Sequence, residues 1–599
     1  MPSLNRRTVL ASITAAAAWP ALATEAWSPM GQRLMEFLAV ADQQDLALNP
    51  QAAVLRGDLK NASQFGDLIS DDYYRAAEAT LRAQLRAFAA IDRAQLDGHE
   101  RVAYDMWQYQ AGYALRQYDE VLVKISRRLP IDHLLGQHLV FAQFSSGSAG
   151  APYRTLQDYA DGLSRIDGFV VYLDRAIDRL REGMRERHVL LRGIAEKVIG
   201  QLDEALALAP EASPFFGPIN SLPDSFNATD RERLRGAYRE AIERKINPAF
   251  ARLRDFLRRE YLPASRTGPP GLGALPGGTA YYEYQLEAHT TLRLRADAIH
   301  RLGLAEVARI RGEMQRVRRQ VGFRGTLAQF FEHLKTDAKF KFASKEALLS
   351  AYKAVGQRVD RVLPRLFGKL PAGKLEFAAV PAEQEKSASG AYYIVGTPDG
   401  DRPGVFYVNT SELATRTSPR VTALYLHEAM PGHHLQASLA QEDTSLPATL
   451  RFAWNAGYGE GWALYAEWLG HEMGLYDDTV QHFGQLDMEI FRAARMVVDT
   501  GLHAKGWSRE RAIDYMAANT SLERSFVELE IDRYIVWPGQ ACAYKLGDIK
   551  IRALRRQAER ALGARFDVRA FHTQVLGSGA LPLHVLERKI KDWIGSKAT

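Results

Sequence analysis

At its most informative point the chain reads His-Glu-Ala-Met-Pro-Gly-His-His over residues 427–434. A further carboxylate, Glu460, follows in a segment rich in helix-forming residues. Two histidines and a glutamate can hold a zinc ion and leave its fourth position open to water. Glu428, beside the first histidine, can take a proton from that water. The string therefore predicts a metal-dependent hydrolytic site.

The spacing of the histidines departs from the common zinc-protease motif, in which two histidines at i and i+4 of one helix face the same ion. Here position i+4 is Pro431, and the next histidines come at i+6 and i+7. Proline removes a backbone donor and glycine tolerates unusual dihedral angles. We therefore expect a bulge or kink at 431–432 that brings His433 back beside His427, with His434 as the alternative ligand.

A second helix is expected to supply the third ligand. Glu460 and Glu467 are seven residues apart in a proline-free segment, so they lie on one helical face. We expect Glu460 to bind the metal and Glu467 to accept a hydrogen bond from a ligand imidazole. Zinc is the predicted single ion, although the same ligands accept other divalent metals. The alternative is that these side chains are ordinary surface or buried polar residues.

These motifs resemble the signature of a large, mostly bacterial family known as domain-of-unknown-function family 885, which is grouped with the zincin-type metallopeptidases. The shared string is His-Glu-x-x-Pro-Gly-His-His-x-Gln at 427–436, followed by Glu-Gly-Trp-Ala-x-Tyr-x-Glu at 460–467. The likeness extends to the segments 289–291, 402–409, 499–503 and 532–541. It therefore covers most of the mature chain.

A more distant likeness runs to the thimet oligopeptidase and carboxypeptidase Taq families. In those families a glutamate ligand is followed seven positions later by another glutamate, as at Glu460 and Glu467. Their second histidine ligand follows a glycine, as His433 follows Gly432, so the resemblance favours His433 over His434. It also implies short peptide substrates. The chain departs from both families by a two-residue insertion before Gly432.

The N-terminus has the pattern of an export signal. Arg6-Arg7 is followed by an apolar, alanine-rich run, and a small-x-small cleavage site ends at Ala23. We predict a twin-arginine-like signal at 1–23, cleavage after Ala23, and a periplasmic or secreted product. A general secretory signal or an uncleaved anchor is the alternative. No later segment has the length and hydropathy of a stable membrane span.

Composition places few further limits on function. The 599 residues are 46% hydrophobic and 25% charged, which is ordinary for a globular protein. The formal charge of +6 comes from arginines scattered among acidic residues, and no nucleic-acid motif is present, so no nucleic-acid partner is expected. The single cysteine, Cys542, excludes an intrachain disulfide. The sequence makes no prediction of the oligomeric state.

Helical periodicity dominates the chain and predicts a mainly α, bilobed body. We expect an N-terminal helical lobe at 24–265, a Gly/Pro-rich loop at 266–280 that marks a lobe boundary or faces substrate, and a catalytic lobe at 281–599. Two β-branched and aromatic runs near 390–409 predict a small antiparallel sheet beside the active-site helix. Its edge, and the Asn409 amide, could bind a peptide backbone, or the hairpin could be purely structural.

Hydrolysis also needs a donor to the developing oxyanion. The candidates are Tyr534, Tyr544 and His503, because the distant relatives use a C-terminal tyrosine or histidine for this purpose. Asp499 lies four residues before His503, so it could orient that imidazole on a helix.

Two cations near the C-terminus, Arg533 and Lys545, could bind the terminal carboxylate of a peptide. The alternative for Arg533 is an intrahelical ion pair with Glu530, three residues earlier.

Three functions were considered from these observations. The first is an exported zinc metallopeptidase that hydrolyses short peptides with Glu428 as general base, with carboxypeptidase or dipeptidase action as the specific expectation. The second is a zinc-dependent amidase acting on a small metabolite or cell-wall fragment. The third is a catalytically inactive helical binding protein, which the presence of Glu428 beside the predicted ligands disfavours.

Overall fold

The computed structural model describes residues 27–148, 150–380, 385, 390–398, 400, 402–411 and 413–598. The predicted signal at 1–23 lies outside these residues. Among the described helices, none combines the length and the apolar character needed to cross a bilayer.

Most of the described chain is helical, which confirms the predicted mainly α class. In the first part of the chain, the helices of eight or more residues are α1 Pro29–Leu48, α2 Asp71–Phe88, α3 Gly98–Arg116, α4 Glu120–Arg128, α5 Gln137–Phe144, α6 Leu156–Glu186, α7 Arg192–Ala207, α8 Ala228–Ala241 and α9 Asn247–Phe256. They continue with α10 Gly278–Thr290, α11 Ala296–Gln320, α12 Leu327–Thr336 and α13 Lys345–Asp360.

Three strands and the remaining helices follow. The strands are β1 Leu375–Ala379, β2 Ala391–Ile394 and β3 Gly404–Val408. The helices are α14 Val421–Glu428, α15 His433–Glu442, α16 Ala456–Leu469, α17 Thr479–Lys505, α18 Arg509–Asn519, α19 Arg524–Val536, α20 Gln540–Leu562, α21 Val568–Leu576 and α22 Leu583–Ala598.

Local sequence explains how these helices begin and pack. Helix α6 starts at a capping box, in which Thr155 and Asp158 satisfy each other's backbone N–H groups. Its buried residues, among them Ile166, Phe169 and Leu173, recur at three- and four-residue spacing. This pattern gives one apolar face that packs into the core.

The two largest hydrophobic cores each include residues from both sides of the loop at 266–280. One joins Phe169 with Ile490 of α17, and the other joins Trp107 of α3 with Trp462 of α16. The loop itself lies against α17, because the Leu272 N–H donates to the His503 ring at 3.0 Å. The predicted N-terminal and catalytic segments therefore share their cores.

The sheet has the strand order β1-β3-β2. Strands β2 and β3 pair antiparallel, which confirms the predicted hairpin, whereas β1 pairs parallel with β3. The sheet is therefore mixed, because the predicted antiparallel pair is joined by a third strand, β1, that runs parallel to β3. Strand β2 forms one edge.

Helices α16 and α20 cross closely at the centre of the fold. A Cβ atom on Gly461 would lie 2.5 Å from Gly547, and one on Gly547 would lie 1.9 Å from the Gly457 carbonyl oxygen. Only glycine permits this approach. Helix α16 is buried on nearly all sides, so the side chains that it contributes to the site are held rigidly.

Candidate metal centre

The predicted kink is a complete break between two helices. Helix α14 ends at Glu428, a cis peptide bond joins Met430 to Pro431, and α15 begins at His433. A Cβ atom on Gly432 would lie 1.9 Å from the His427 carbonyl oxygen, so the turn requires glycine. The Trp462 indole N–H of α16 donates to the Pro431 carbonyl at 2.8 Å and anchors the turn.

The break brings His433 beside His427, as predicted. Their ring centroids lie 4.9 Å apart and the ring planes are nearly perpendicular, at 86°. Glu460, from α16, completes the group: its Oε2 lies 3.6 Å from His427 Nε2 and 3.5 Å from His433 Nε2. The three potential ligand atoms all lie within 4.8 Å of one another. We call these three residues the His–His–Glu cluster.

Glu467 lies on the same face of α16 as Glu460, seven residues later, and contacts His427 of the cluster. Its Oε1 accepts a hydrogen bond from His427 Nδ1 at 2.8 Å, and both side chains are buried. A proton held on Nδ1 leaves the lone pair of Nε2 facing Glu460 and His433. The predicted relation between Glu467 and a cluster imidazole is therefore present.

His434, the alternative ligand, faces away from the cluster. Its Nδ1 lies 2.9 Å from the Tyr393 hydroxyl of β2, and its Nε2 lies 3.2 Å from the Gly373 carbonyl oxygen. Both ring nitrogens are thus engaged in holding α15 to the sheet. The structure separates the two neighbouring histidines into different roles.

The charges of the cluster depend strongly on each other. Burial alone would raise the pKa of Glu460, but the two imidazoles hold that pKa far below its usual range. Burial would likewise lower the pKa of His427, yet Glu460 and Glu467 raise it to about 9. The carboxylates therefore stabilise positive charge at the centre of the cluster.

Glu428 ends α14 directly beside the cluster and faces a cavity. Burial raises the pKa of its carboxyl group above the ordinary value, against the opposing effect of His427 and His433. A carboxylate with a raised pKa is better suited to accept and return a proton near neutral pH.

The cavity has a volume of about 1380 Å³ and contains the cluster in its wall. Its lining includes the β2 residues Ala391, Tyr392 and Tyr393, so the edge strand of the described sheet borders it. Helix α17 lies on another side. This volume exceeds that of ordinary small-molecule pockets, which is about 300–1,000 Å³, and leaves room for several peptide residues.

Only one of the three predicted oxyanion donors reaches the cavity. The Tyr544 ring lies in the wall, nearly parallel to the His427 ring with centroids 6.5 Å apart. Tyr534 is fully buried; its hydroxyl accepts from Arg495 Nε at 2.8 Å and donates to Glu530. The structure therefore places Tyr534 in an interior hydrogen-bond network and not at the cluster.

His503 is also placed elsewhere, and Asp499 does not orient it. The His503 ring accepts from the Leu272 N–H at 3.0 Å and contacts the Tyr534 carbonyl at 2.9 Å, while Asp499 accepts from the Tyr282 hydroxyl. Burial lowers the pKa of His503 to about 4, so the ring is neutral at pH 7. The pair holds the 266–280 loop and α10 against α17, and neither side chain lines the cavity.

The two predicted carboxylate-binding cations are both engaged in ion pairs. Lys545 is buried and donates to Glu489 at 2.6 Å and to Asp548 at 2.7 Å. Arg533 binds Glu530 through two nitrogens, at 3.2 and 3.0 Å, which is the alternative that the sequence offered. Neither lines the cavity, so the structure does not place them where a substrate would bind.

Asn409 does lie in the cavity wall, at the end of β3. Its side-chain N–H donates to the Glu385 carbonyl at 2.7 Å, and its side-chain oxygen accepts from the Ser411 hydroxyl. The Asn409 amide thus bonds neighbouring loop residues that form this part of the cavity wall. A hydrogen bond from it to a substrate remains a prediction.

Sequence reasoning missed several cavity residues. Arg492 and Arg495 of α17 line the cavity, as does Trp454, whose ring lies 5.8 Å from that of His433. No motif marks them: the two arginines sit in an ordinary helical pattern, Trp454 lies in the segment between two helices, and tertiary packing brings all three to the cavity.

Taken together, the fold and the cluster define a class of mainly helical proteins with a His–His–Glu group set in a large cavity beside a small sheet. The chain belongs to domain-of-unknown-function family 885, described as bacterial protein of unknown function, whose model matches residues 50–590. No curated protein matches it.

Two solved structures share this architecture, each described as a "putative lipoprotein". The one from Colwellia psychrerythraea is 28% identical, with a TM-score of 0.87, and the match covers 95% of this chain and 100% of that one. The one from Shewanella oneidensis, of unknown function, is 16% identical with a TM-score of 0.70, and the match covers 93% and 99%. The second likeness shows the fold alone.

Proposed function

We propose that this protein is an exported, zinc-dependent metallopeptidase of the zincin type that hydrolyses short peptides. One observation carries the proposal: His427, His433 and Glu460 present two imidazole nitrogens and a carboxylate oxygen to one point, beside Glu428 and open to a large cavity.

The spacing within the cluster fits a metal better than it fits hydrogen bonding. Glu460 Oε2 lies 3.5 and 3.6 Å from the two Nε2 atoms, which is long for a charge-assisted hydrogen bond. Ligands of a tetrahedral zinc ion with bonds of about 2.0–2.1 Å are separated by about 3.3 Å. Two imidazoles and one carboxylate are also a common catalytic zinc set.

A zinc ion in such a site supplies an acidified water and a Lewis acid for the peptide carbonyl. The chain's own residues then provide the rest. Glu428 takes the proton of the attacking water on its carboxylate and passes it to the leaving amine. Glu467 holds the His427 ring through Nδ1, and Tyr544, whose ring lies in the cavity wall, would donate to the developing oxyanion.

Substrate size follows from the cavity. The β2 strand at the edge of the described sheet borders the cavity, where an extended chain would add as a further strand. Short, unstructured peptides fit this shape. The twin-arginine-like signal at 1–23, together with the lipoprotein description of the similar structures, supports export of the mature chain.

The test is digestion of a diverse peptide library by zinc-loaded protein beginning at Thr24, read by mass spectrometry. Glu428→Gln is expected to abolish cleavage while retaining zinc. Glu559→Gln, which changes a carboxylate outside the cavity, is the matched control and should cleave normally. Hydrolysis of N-acyl amino acids without any peptide cleavage would replace the peptidase by an amidase.

A further inference from the structure

One buried cation in the cavity wall, Arg492, has no carboxylate partner in the part of the chain that the structure describes. Arg492 of α17 is 6% exposed, and no acidic group among the described residues lies within ion-pair distance of it. Among the described residues, its Nη1 makes long contacts, each 3.4 Å, with the carbonyl oxygen and the sulfur of Met488. Its Nε has no hydrogen-bond partner in the part of the chain that the structure describes.

Such an arrangement is costly and needs an explanation. A buried charge is normally paired, because its desolvation is otherwise uncompensated. Burial lowers the pKa of Arg492, and the carboxylates that oppose this effect from longer range, Glu467 and Glu460, face the His–His–Glu cluster. The guanidinium could therefore bind an anion that enters the cavity.

A second guanidinium reinforces the first. Arg495 lies three residues later on the same face of α17 and also lines the cavity. It binds Glu530 and the Tyr534 hydroxyl, but its Nη1 has no partner among the described residues. The Phe491 ring packs against both cations, at 5.1 and 4.1 Å, and fixes their positions.

The anion would bind close to the candidate metal. The Arg492 guanidinium carbon lies 5.9 Å from the centre of the Tyr544 ring, which in turn lies 6.5 Å from the His427 ring. Arg492 is thus within about 12 Å of His427, a distance that about four extended residues or fewer would span.

We propose that Arg492, with Arg495 beside it, binds the free C-terminal carboxylate of a short peptide. This rests on the proposed peptidase function and specifies which end of the peptide is recognised: the scissile bond lies within about four residues of a free C-terminus. A guanidinium fork matches a carboxylate with two parallel hydrogen bonds, which an amidated terminus cannot provide.

The experiment compares N-acetylated tripeptide and pentapeptide libraries that carry either a free carboxylate or a carboxamide at the C-terminus. For the wild-type protein, kcat/KM is expected to be about 10- to 100-fold higher for the acids, as for a hydrogen bond to a charged group. In Arg492→Gln this preference should fall to near unity, and Arg492→Lys should restore part of it, because lysine keeps the charge but loses the fork.

The matched control is Arg451→Gln. This arginine also lines the cavity, but its guanidinium donates to the Gln441 carbonyl, so the substitution should leave the acid-to-amide ratio unchanged. A second readout is independent of turnover: native mass spectrometry of the Glu428→Gln protein should detect the acid library in preference to the amide library. The added substitution Arg492→Gln should remove that difference.

The outcomes separate the two proposals. Equal cleavage of acids and amides by the wild-type protein, with both abolished in Glu428→Gln, would overturn the role of Arg492 and leave the peptidase intact. Cleavage of neither library, together with carboxylate-selective binding, would overturn the peptidase and leave the anion site. An acid preference unchanged in Arg492→Gln would also overturn the assignment.

Discussion

The His–His–Glu cluster and the buried ion pairs around Lys545 use similar residues in opposite ways. Around Lys545, the ammonium lies 2.6 and 2.7 Å from two carboxylates, so each charge is compensated within the fold. In the cluster, polar atoms approach only to 3.5 and 3.6 Å and face a cavity. Arg492 extends the contrast, since it is buried without an acidic partner in the described chain. Compensated charges hold this fold together, whereas we propose that the cluster and Arg492 bind ligands.

Among the substitutions that test this contrast, the largest expected effect is the loss of activity in Glu428→Gln. Glu428→Gln should lower kcat/KM for peptides by about 10²- to 10⁴-fold, the usual contribution of a general base. Zinc content and melting temperature should stay near those of the wild-type protein, because the cluster ligands are unchanged. Loss of zinc from this variant would instead place Glu428 among the ligands.

Lys545→Met tests the contribution of the buried ion pairs around Lys545 to stability. The substitution leaves Glu489 and Asp548 buried without their main partner, so unfolding free energy should fall by about 3–5 kcal/mol. Urea denaturation followed by circular dichroism measures it. Lys591→Met, which breaks an exposed pair with Glu587, is the control and should cost about 1 kcal/mol or less. Similar losses in both variants would remove the distinction drawn here.

Glu467→Gln should weaken the metal site without removing a ligand. The amide can no longer accept the His427 Nδ1 proton as a charged group, so zinc affinity should fall by about 10- to 100-fold. Competition with a chromogenic chelator measures this affinity. An unchanged affinity would mean that the Glu467 contact serves packing alone.

The smallest expected effect concerns stability at Arg492. Replacing an uncompensated buried cation by an apolar side chain of similar length should leave unfolding free energy unchanged or raise it by about 1 kcal/mol. Thermal unfolding of Arg492→Met beside Lys545→Met makes the comparison direct. A loss as large as that of Lys545→Met would show that Arg492 is compensated within the fold.

Much of the cluster could be predicted from residue types and spacing alone. Pro431 and Gly432 indicate a break, and the seven-residue spacing of Glu460 and Glu467 indicates a shared helical face; the structure shows both. What spacing could not decide was the direction of His434, because Tyr393 and Gly373 approach it from distant parts of the chain.

The same limit explains why Asp499 and His503 lie away from the cavity. Asp499 and His503 have the right spacing for a hydrogen bond, but partners from α10 and from the 266–280 loop lie closer to each. Lys545 and Arg492 are both helical cations, and only tertiary packing gives Lys545 three carboxylates within ion-pair distance and Arg492 none among the described residues. Helical periodicity predicts the fold class, whereas such pairings depend on contacts between remote segments.

The most direct test of the central claim is a crystal structure of the mature protein equilibrated with one equivalent of zinc, measured on both sides of the zinc absorption edge. The account predicts one anomalous peak about 2.0–2.2 Å from His427 Nε2, His433 Nε2 and a Glu460 carboxylate oxygen. A peak bound by His434, or no peak between these three side chains, would contradict it.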